Sequence, residues 1–252
     1  MKNKEEFKLR GQDFTLVNGD CLKVMKDIPD GSIDMILCDL PYGVTNNKWD
    51  VVIDLDDMWE QYERVIKENG AIVLTATQPF TSQLVMSNID IFKYDMIWEK
   101  TIASNQLNVK IQPLRNHESI LVFYKKQPTY NEQKTKGDPY SINRKADYMD
   151  GNYNKQKPSS KKNNGYRHAK SVIKISNPRI KGGHPTQKPN ELLEYLIKTF
   201  TNKGDVVLDN CMGSGSTGAA CRNLQRGFFG IELDKRYFNM AKKIREEGLF
   251  TE

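Results

Sequence analysis

One short stretch, Asp39-Leu40-Pro41-Tyr42-Gly43, combines a carboxylate, a stiff bend and an aromatic face, the groups that could hold a flat, polar substrate. The apolar run before it, Ile33 to Cys38, reads as a buried strand, and ligands in open α/β sheets bind beyond the carboxyl ends of strands. The same residue types also describe an ordinary turn, so a second constellation must decide. That constellation is Asp209-Asn210-Cys211-Met212-Gly213-Ser214-Gly215-Ser216-Thr217-Gly218, set between a strand at Asp205–Leu208 and a helix. Gly213, Gly215 and Gly218 fit G-x-G-x-x-G, and Glu232 ends the next strand 19 residues after Gly213, which completes a dinucleotide fingerprint. A nicotinamide dehydrogenase is therefore one reading. Against it, Asp209 places a carboxylate where a pyrophosphate would be repelled but where the cationic amino-acid end of S-adenosylmethionine would be welcome. In addition, only 20 residues follow Glu232, so the rest of the sheet must come from the amino-terminal half, as in a circularly permuted fold.

The elements that must position these groups alternate along the chain. Phe14 to Asn18 reads as a strand, Leu22 to Ile28 as a brief helix ended by Pro29-Asp30-Gly31, and Ile33 to Cys38 as the next strand, a compact βαβ unit. A polar loop over residues 44–50 precedes a helix with Leu55, Met58, Trp59, Tyr62, Val65 and Ile66 on one face, for which Asn69-Gly70 is the expected stop. Strands are expected at Ala71–Thr75, Tyr94–Trp98, Ser119–Tyr124 and Gly227–Ile231, and helices at Pro79–Asn88 and along Leu192–Phe200. The charged amino terminus suggests no element.

Charge is unevenly placed. Residues 125–181 hold 15 Lys and Arg against 4 Asp and Glu, a local +11 in a chain of net +6, with tyrosines at 130, 140, 148, 153 and 166 among the basic residues. Such interleaving suits phosphate contacts plus stacking on bases, although a solvated linker has a similar composition. The four cysteines show no C-x-x-C spacing and the three histidines no metal-ligand pattern, so neither a disulfide frame nor a metal site is expected. The amino terminus lacks an apolar signal segment and no run of about 18 apolar residues occurs, which points to a cytoplasmic protein without membrane contact.

Taken in chain order, DLPYG, HPTQKP at residues 184–189 and DNCMGSGSTG resemble the β-class amino-group (N6-adenine/N4-cytosine) site-specific DNA methyltransferases, in which the catalytic motif precedes the cofactor loop. The chain departs at Leu40, where Pro is usual, and at Asn210-Cys211, where Pro-Phe is commoner. The resemblance implies an α/β fold: a circularly permuted, seven-stranded, Rossmann-like methyltransferase sheet with an inserted target-recognition region. It implies a catalytic half at 1–125, a basic insert at 126–183 and a cofactor-binding half at 184–252, with strands near 205–209, 227–232, 14–20 and 33–39 taking the first four places.

By the same resemblance S-adenosylmethionine is the cofactor. The loop of Asp209, Met212, Gly213, Ser214, Gly215, Ser216 and Thr217 would wrap its methionine part, and Glu232 its ribose. Asp20 would approach the adenine amino group, Pro185, Thr186 and Lys188 would line the methionine end, and Cys21 and Asp39 would also belong to the cofactor-binding set. Asp39, Leu40, Pro41 and Tyr42 would form the catalytic motif, acting on a base flipped out of double-stranded DNA, with adenine N6 the expected target. Cytosine N4 is the alternative, and a DNA-binding cofactor sensor without catalysis a more distant one. A homodimer is left open. Cytosine C5 methylation needs a cysteine nucleophile, usually in a Pro-Cys pair, and this chain has no Pro-Cys.

Overall fold

Runs such as Ile33–Asp39, IDMILCD, and Val206–Asp209, VVLD, have apolar residues on both faces, so each must be covered from two sides. The computed structural model describes residues 4–43, 52–144, 159–177 and 187–246. Its first half runs β1 (Lys4–Leu9), β2 (Gln12–Asn18), α1 (Cys21–Met25), β3 (Ile33–Asp39), α2 (Leu55–Val65), β4 (Ile66–Ala76), α3 (Phe80–Ser87), β5 (Phe92–Ser104) and β6 (Arg115–Phe123). The second half follows with β7 (Thr135–Lys136), β8 (Tyr140–Arg144), β9 (Ser159–Asn163), β10 (Tyr166–Arg167), β11 (Val172–Lys174), α4 (Asn190–Phe200), β12 (Val206–Asp209), α5 (Ser216–Leu224), β13 (Gly227–Glu232) and α6 (Lys235–Ala241).

Among the described residues nine strands form one sheet, in the order β1-β2-β13-β12-β3-β4-β6-β5-β11. The expected permuted order is at its centre, with β12 parallel to both β13 and β3, and β13 parallel to β2. β6 runs antiparallel to β4 and β5, which completes the seven expected strands. Side chains alternate between two cores as the pleat demands. Met35 and Leu37 of β3 join Leu192, Leu196 and Phe200 of α4 on one face, while Ile36 and Cys38 join Met58, Tyr62 and Val65 of α2 on the other.

Three features differ from the sequence reading. First, the charged amino terminus forms β1, an edge strand antiparallel to β2. Its alternating exposure keeps Lys and Glu in water while Phe7 stacks on Phe14 with ring centroids 5.6 Å apart, a pattern too polar to register as a strand. Second, Asn69-Gly70 does not stop a helix. α2 ends at Val65, and the pair lies inside β4, opposite the register shift between Ile33 and Met35 of β3. A Cβ on Gly70 would meet the Asp34 carbonyl at 2.9 Å, so close strand approach rather than a helix cap uses this glycine. Third, β11 lies within the basic stretch yet pairs parallel with β5 as the other edge of the sheet.

The chain divides into two compact units, one of residues 1–131 and 171–252 and one of 132–170. The smaller unit is narrower than the basic stretch singled out by composition, and it is not a bare linker. β7 pairs with β10 and β8 with β9, both antiparallel, and the Arg167 guanidinium lies 4.5 Å from the centroid of the Tyr140 ring. Lys161 and Lys162 belong to β9.

Candidate active site

Because β12 and β3 are neighbours, with Leu208 opposite Ile36, the two motifs leave the sheet from adjacent strands at the same edge. Asp39 ends β3, opposite Thr75 of β4. Three donors hold its carboxylate. Oδ1 accepts from the Thr75 hydroxyl at 2.5 Å and from the Tyr42 hydroxyl at 2.5 Å, and Oδ2 from Lys188 Nζ at 2.5 Å. Leu40 is buried, and the Tyr42 ring packs against Phe80 with centroids 5.4 Å apart. Burial, then the Asp39 and Glu118 charges, raise the Tyr42 pKa well above the ordinary phenol range, so its hydroxyl stays a donor.

Lys188 is only 7% exposed and sits between two carboxylates, with Nζ 3.2 Å from Glu118 Oε2 as well. Burial alone would lower its pKa, but Asp39 and Glu118 outweigh that and raise it, so it is an ammonium at all physiological pH. Glu118 is in turn paired with Lys100, whose Nζ lies 5.0 Å from the centroid of the Trp98 ring. Burial pushes the Glu118 pKa up, yet Lys188 and Lys100 bring it below the ordinary value. Asp39, Lys188, Glu118 and Lys100 thus form a chain of alternating charge. Sequence reasoning found its first two members. It missed Thr75, Glu118 and Lys100, which have only one signal: each lies on a strand that the sheet order brings beside Asp39.

The glycine loop is built for close approach. Gly213 and Gly215 adopt φ of +53° and +91°, in the left-handed region that glycine tolerates. A Cβ on Gly215 would lie 3.1 Å from the Ala241 backbone, whereas one on Gly213 would meet nothing within 4 Å. Gly215→Ala is therefore expected to lose about 2–4 kcal/mol in urea denaturation, from strain plus overpacking, and Gly213→Ala only about 1–2 from strain. Ser214 and Thr217 are buried, as is Met212, and the Ser214 hydroxyl lies 3.4 Å from Gln187 Oε1. Ser216 opens α5. Asn210, which stands where Pro is commoner, accepts from the buried Tyr62 hydroxyl at 2.5 Å and so ties the loop to α2. From sequence, Tyr62 registers only as part of a helix face.

Two acids flank this loop. Glu232 Oε2 accepts from Gly213 N at 2.8 Å and Oε1 from Asp234 N at 2.7 Å; burial raises its pKa despite these bonds. Asp209 is buried and accepts from Cys211 N at 3.1 Å. Burial pushes its pKa up to about 7, against hydrogen bonds led by Thr217. Asp20 caps α1, accepting from Leu22 N at 3.0 Å. Cys21 follows, its pKa lowered chiefly by a hydrogen bond from Cys211. Burial raises Cys38 to about 12. Pro185, Thr186 and the polar loop at 44–50 lie outside the described residues. No group of acids, cysteines and histidines suited to a metal ion occurs among the described residues, and no helix there is long and apolar enough to cross a membrane.

The chain is similar to proteins already known. A family model described as DNA methylase matches residues 33–243. The DNA adenine methyltransferase YhdJ of Escherichia coli (strain K12) is 30% identical over 248 residues, covering 90% of this chain and 81% of that protein. The type II methyltransferase M.HpaI of Haemophilus parainfluenzae is 29% identical over 243 residues, covering 92% and 74%. Among solved structures, an M1.HpyAVI–SAM complex matches with a TM-score of 0.62 at 25% identity, covering 91% of this chain and 98% of that one. The PvuII cytosine-N4-specific DNA methyltransferase shares the fold, with a TM-score of 0.67 at 15% identity over 94% and 88% of the two chains.

Proposed function

We propose, for a chain that belongs to the N6-adenine/N4-cytosine DNA methyltransferase family, that its target is the N6 amino group of adenine, flipped out of double-stranded DNA, and that Asp39 is the acceptor that holds it. The observation that carries this reading is the Asp39 carboxylate, fixed at a strand end by Thr75, Tyr42 and Lys188. The presence of Asp there, and the similarity to a protein named as an adenine methyltransferase, favour adenine over cytosine N4.

The loop residues fit S-adenosylmethionine. The turn at Gly213 faces open space, and Glu232 keeps lone pairs beyond its two backbone bonds for a diol. Asp209 supplies a buried carboxyl for a cationic ligand group, with Met212, Ser214, Gly215, Ser216 and Thr217 shaping the loop around it. Asp20 and Cys21 border the same edge, Lys188 approaches from the HPTQKP segment, and Pro185 and Thr186 are assigned to the cofactor by their place in that motif alone. When bound, this cofactor supplies a methyl group on a sulfonium.

An exocyclic amino nitrogen is a poor nucleophile because its lone pair is delocalised into the ring. Asp39 Oδ1 is saturated by two hydroxyls, so the lone pair of Oδ2 not used by Lys188 is the place for an amino N–H. With the Leu40 carbonyl taking the other N–H, the nitrogen is turned so that its lone pair faces the methyl. Pro41 fixes the bend between them. Positioning and charge complementarity supply the acceleration, and the amino proton leaves to water. Tyr42 offers an aromatic face to the extruded base. Incubation of the purified protein with labelled cofactor and unmodified genomic DNA, followed by nucleoside analysis, is expected to give N6-methyldeoxyadenosine. Label in N4-methyldeoxycytidine would move the assignment to cytosine, and label only in RNA or protein would overturn it.

Asp209 adds a pH dependence. Its folded pKa of about 7 exceeds the ordinary 3.8, so its contribution to stability is largest below the lower value and declines as pH rises through the upper one. A cationic ligand favours the ionised carboxylate. Cofactor affinity measured by calorimetry is therefore expected to rise between pH 6 and 8, and Asp209→Asn to weaken binding and flatten that rise.

A further inference from the structure

The turn between β5 and β6 departs from the usual rule that large apolar side chains are covered. Leu107 is 98% exposed and Ile111 82%, with Val109 at 55%. The turn is nevertheless ordered by its own bonds. Asn105 takes a left-handed φ of +72°, Asn108 Nδ2 donates to Asn105 Oδ1 at 2.7 Å, and Ile111 N donates to Asn108 O at 2.9 Å. Ser104 pairs with Arg115 at its base.

Sheet register fixes where the turn projects. Asp39 is opposite Thr75, Ala76 is opposite Ser119, and β6 is antiparallel to both β4 and β5, so the 105–114 turn leaves the same strand-end edge as the Asp39 site. β6 is two strands from β3 and β5 three, about 10–15 Å away along the edge. From Thr101 to His117 there is no Asp or Glu, while Lys110 and Arg115 are basic. A water-facing apolar tip, held by its own hydrogen bonds, with a cationic base and beside a site for an extruded base, suits one occupant: the base stack of duplex DNA. Apolar side chains enter such stacks as wedges, and a flipped base leaves a gap that must be filled or closed.

We propose that Leu107 and Ile111 enter the duplex beside the target and hold the gap left by the flipped base, with Lys110 and Arg115 on the flanking phosphates. This rests on the DNA-methyltransferase reading above. The test uses the full chain and duplexes carrying a sequence that the wild type methylates, either fully paired or with the target base mispaired. Leu107→Ser combined with Ile111→Ser is expected to lower the single-turnover rate at least tenfold on the paired duplex and less than twofold on the mispaired one, with an unchanged melting temperature. With 2-aminopurine at the target, its fluorescence rise on binding should be lost in parallel. Equal losses on both duplexes, or no loss on either, would overturn the wedge. So would conversion of a dimer to monomers in sedimentation, because the tip would then belong to a self-contact. If the wild type methylates no DNA at all, the underlying function fails instead.

Discussion

Replacing Lys188 by Met is expected to cut methyl transfer at least a hundredfold and to lower stability by about 3–5 kcal/mol. The lysine is 7% exposed and lies between Asp39 and Glu118, so its removal leaves two carboxylates facing each other with one ammonium lost. Lys100 still neutralises Glu118, but among the described residues no other donor stands beside Asp39 Oδ2 to replace Nζ. A buried ion pair adds little over a well-packed apolar pair, yet breaking it from one side is costly because the remaining charge stays desolvated. Lys188→Met with Glu118→Gln should therefore recover stability relative to the single variant while remaining slow. Urea denaturation and single-turnover rates separate the two effects. If the single variant were as stable and active as the wild type, the charge chain would have no part in fixing Asp39.

Asp39→Ala is expected to abolish transfer, by at least about a thousandfold if positioned electrostatics carry the rate, while cofactor affinity changes less than about threefold. Because this variant also unpairs Lys188, a second one is needed. Asp39→Asn keeps an oxygen for the Thr75 and Tyr42 hydroxyls, which reach Oδ1 in the wild type, but turns an amide NH2 toward Lys188 where Oδ2 stood. It removes the acceptor for the target amino group with less loss of volume. Both variants should bind cofactor and fail to transfer. A calorimetric Kd beside the rate distinguishes a lost acceptor from a collapsed site.

The parts of the molecule with strong periodicity were legible from sequence. The Ile33–Cys38 run, the α4 face of Leu192, Leu193, Leu196, Ile197 and Phe200, and the strand–loop–helix around Gly213 each fix their own environment locally. The edges were not legible. β1 carries four charged residues among its six, and β11 is three residues long, so each gains most of its definition from the strand beside it. Asn69-Gly70 misled because the same dipeptide serves a helix stop and a strand that must pass close to Asp34. In the site, Asp39 and Lys188 could be read from their motifs. Thr75, Glu118 and Lys100 could not, since their role arises only when β4, β5 and β6 lie in order beside β3. Tyr62 likewise looked like core until its hydroxyl met Asn210.

The proposed reaction is methyl transfer to an adenine amino group held by Asp39. DNA from a modification-free host expressing either the wild type or Asp39→Ala, hydrolysed and analysed by mass spectrometry of its nucleosides, tests it most directly. The wild type should yield N6-methyldeoxyadenosine at a defined sequence and Asp39→Ala none. Equal methylation by both proteins, or no methylated adenine with the wild type, would contradict it.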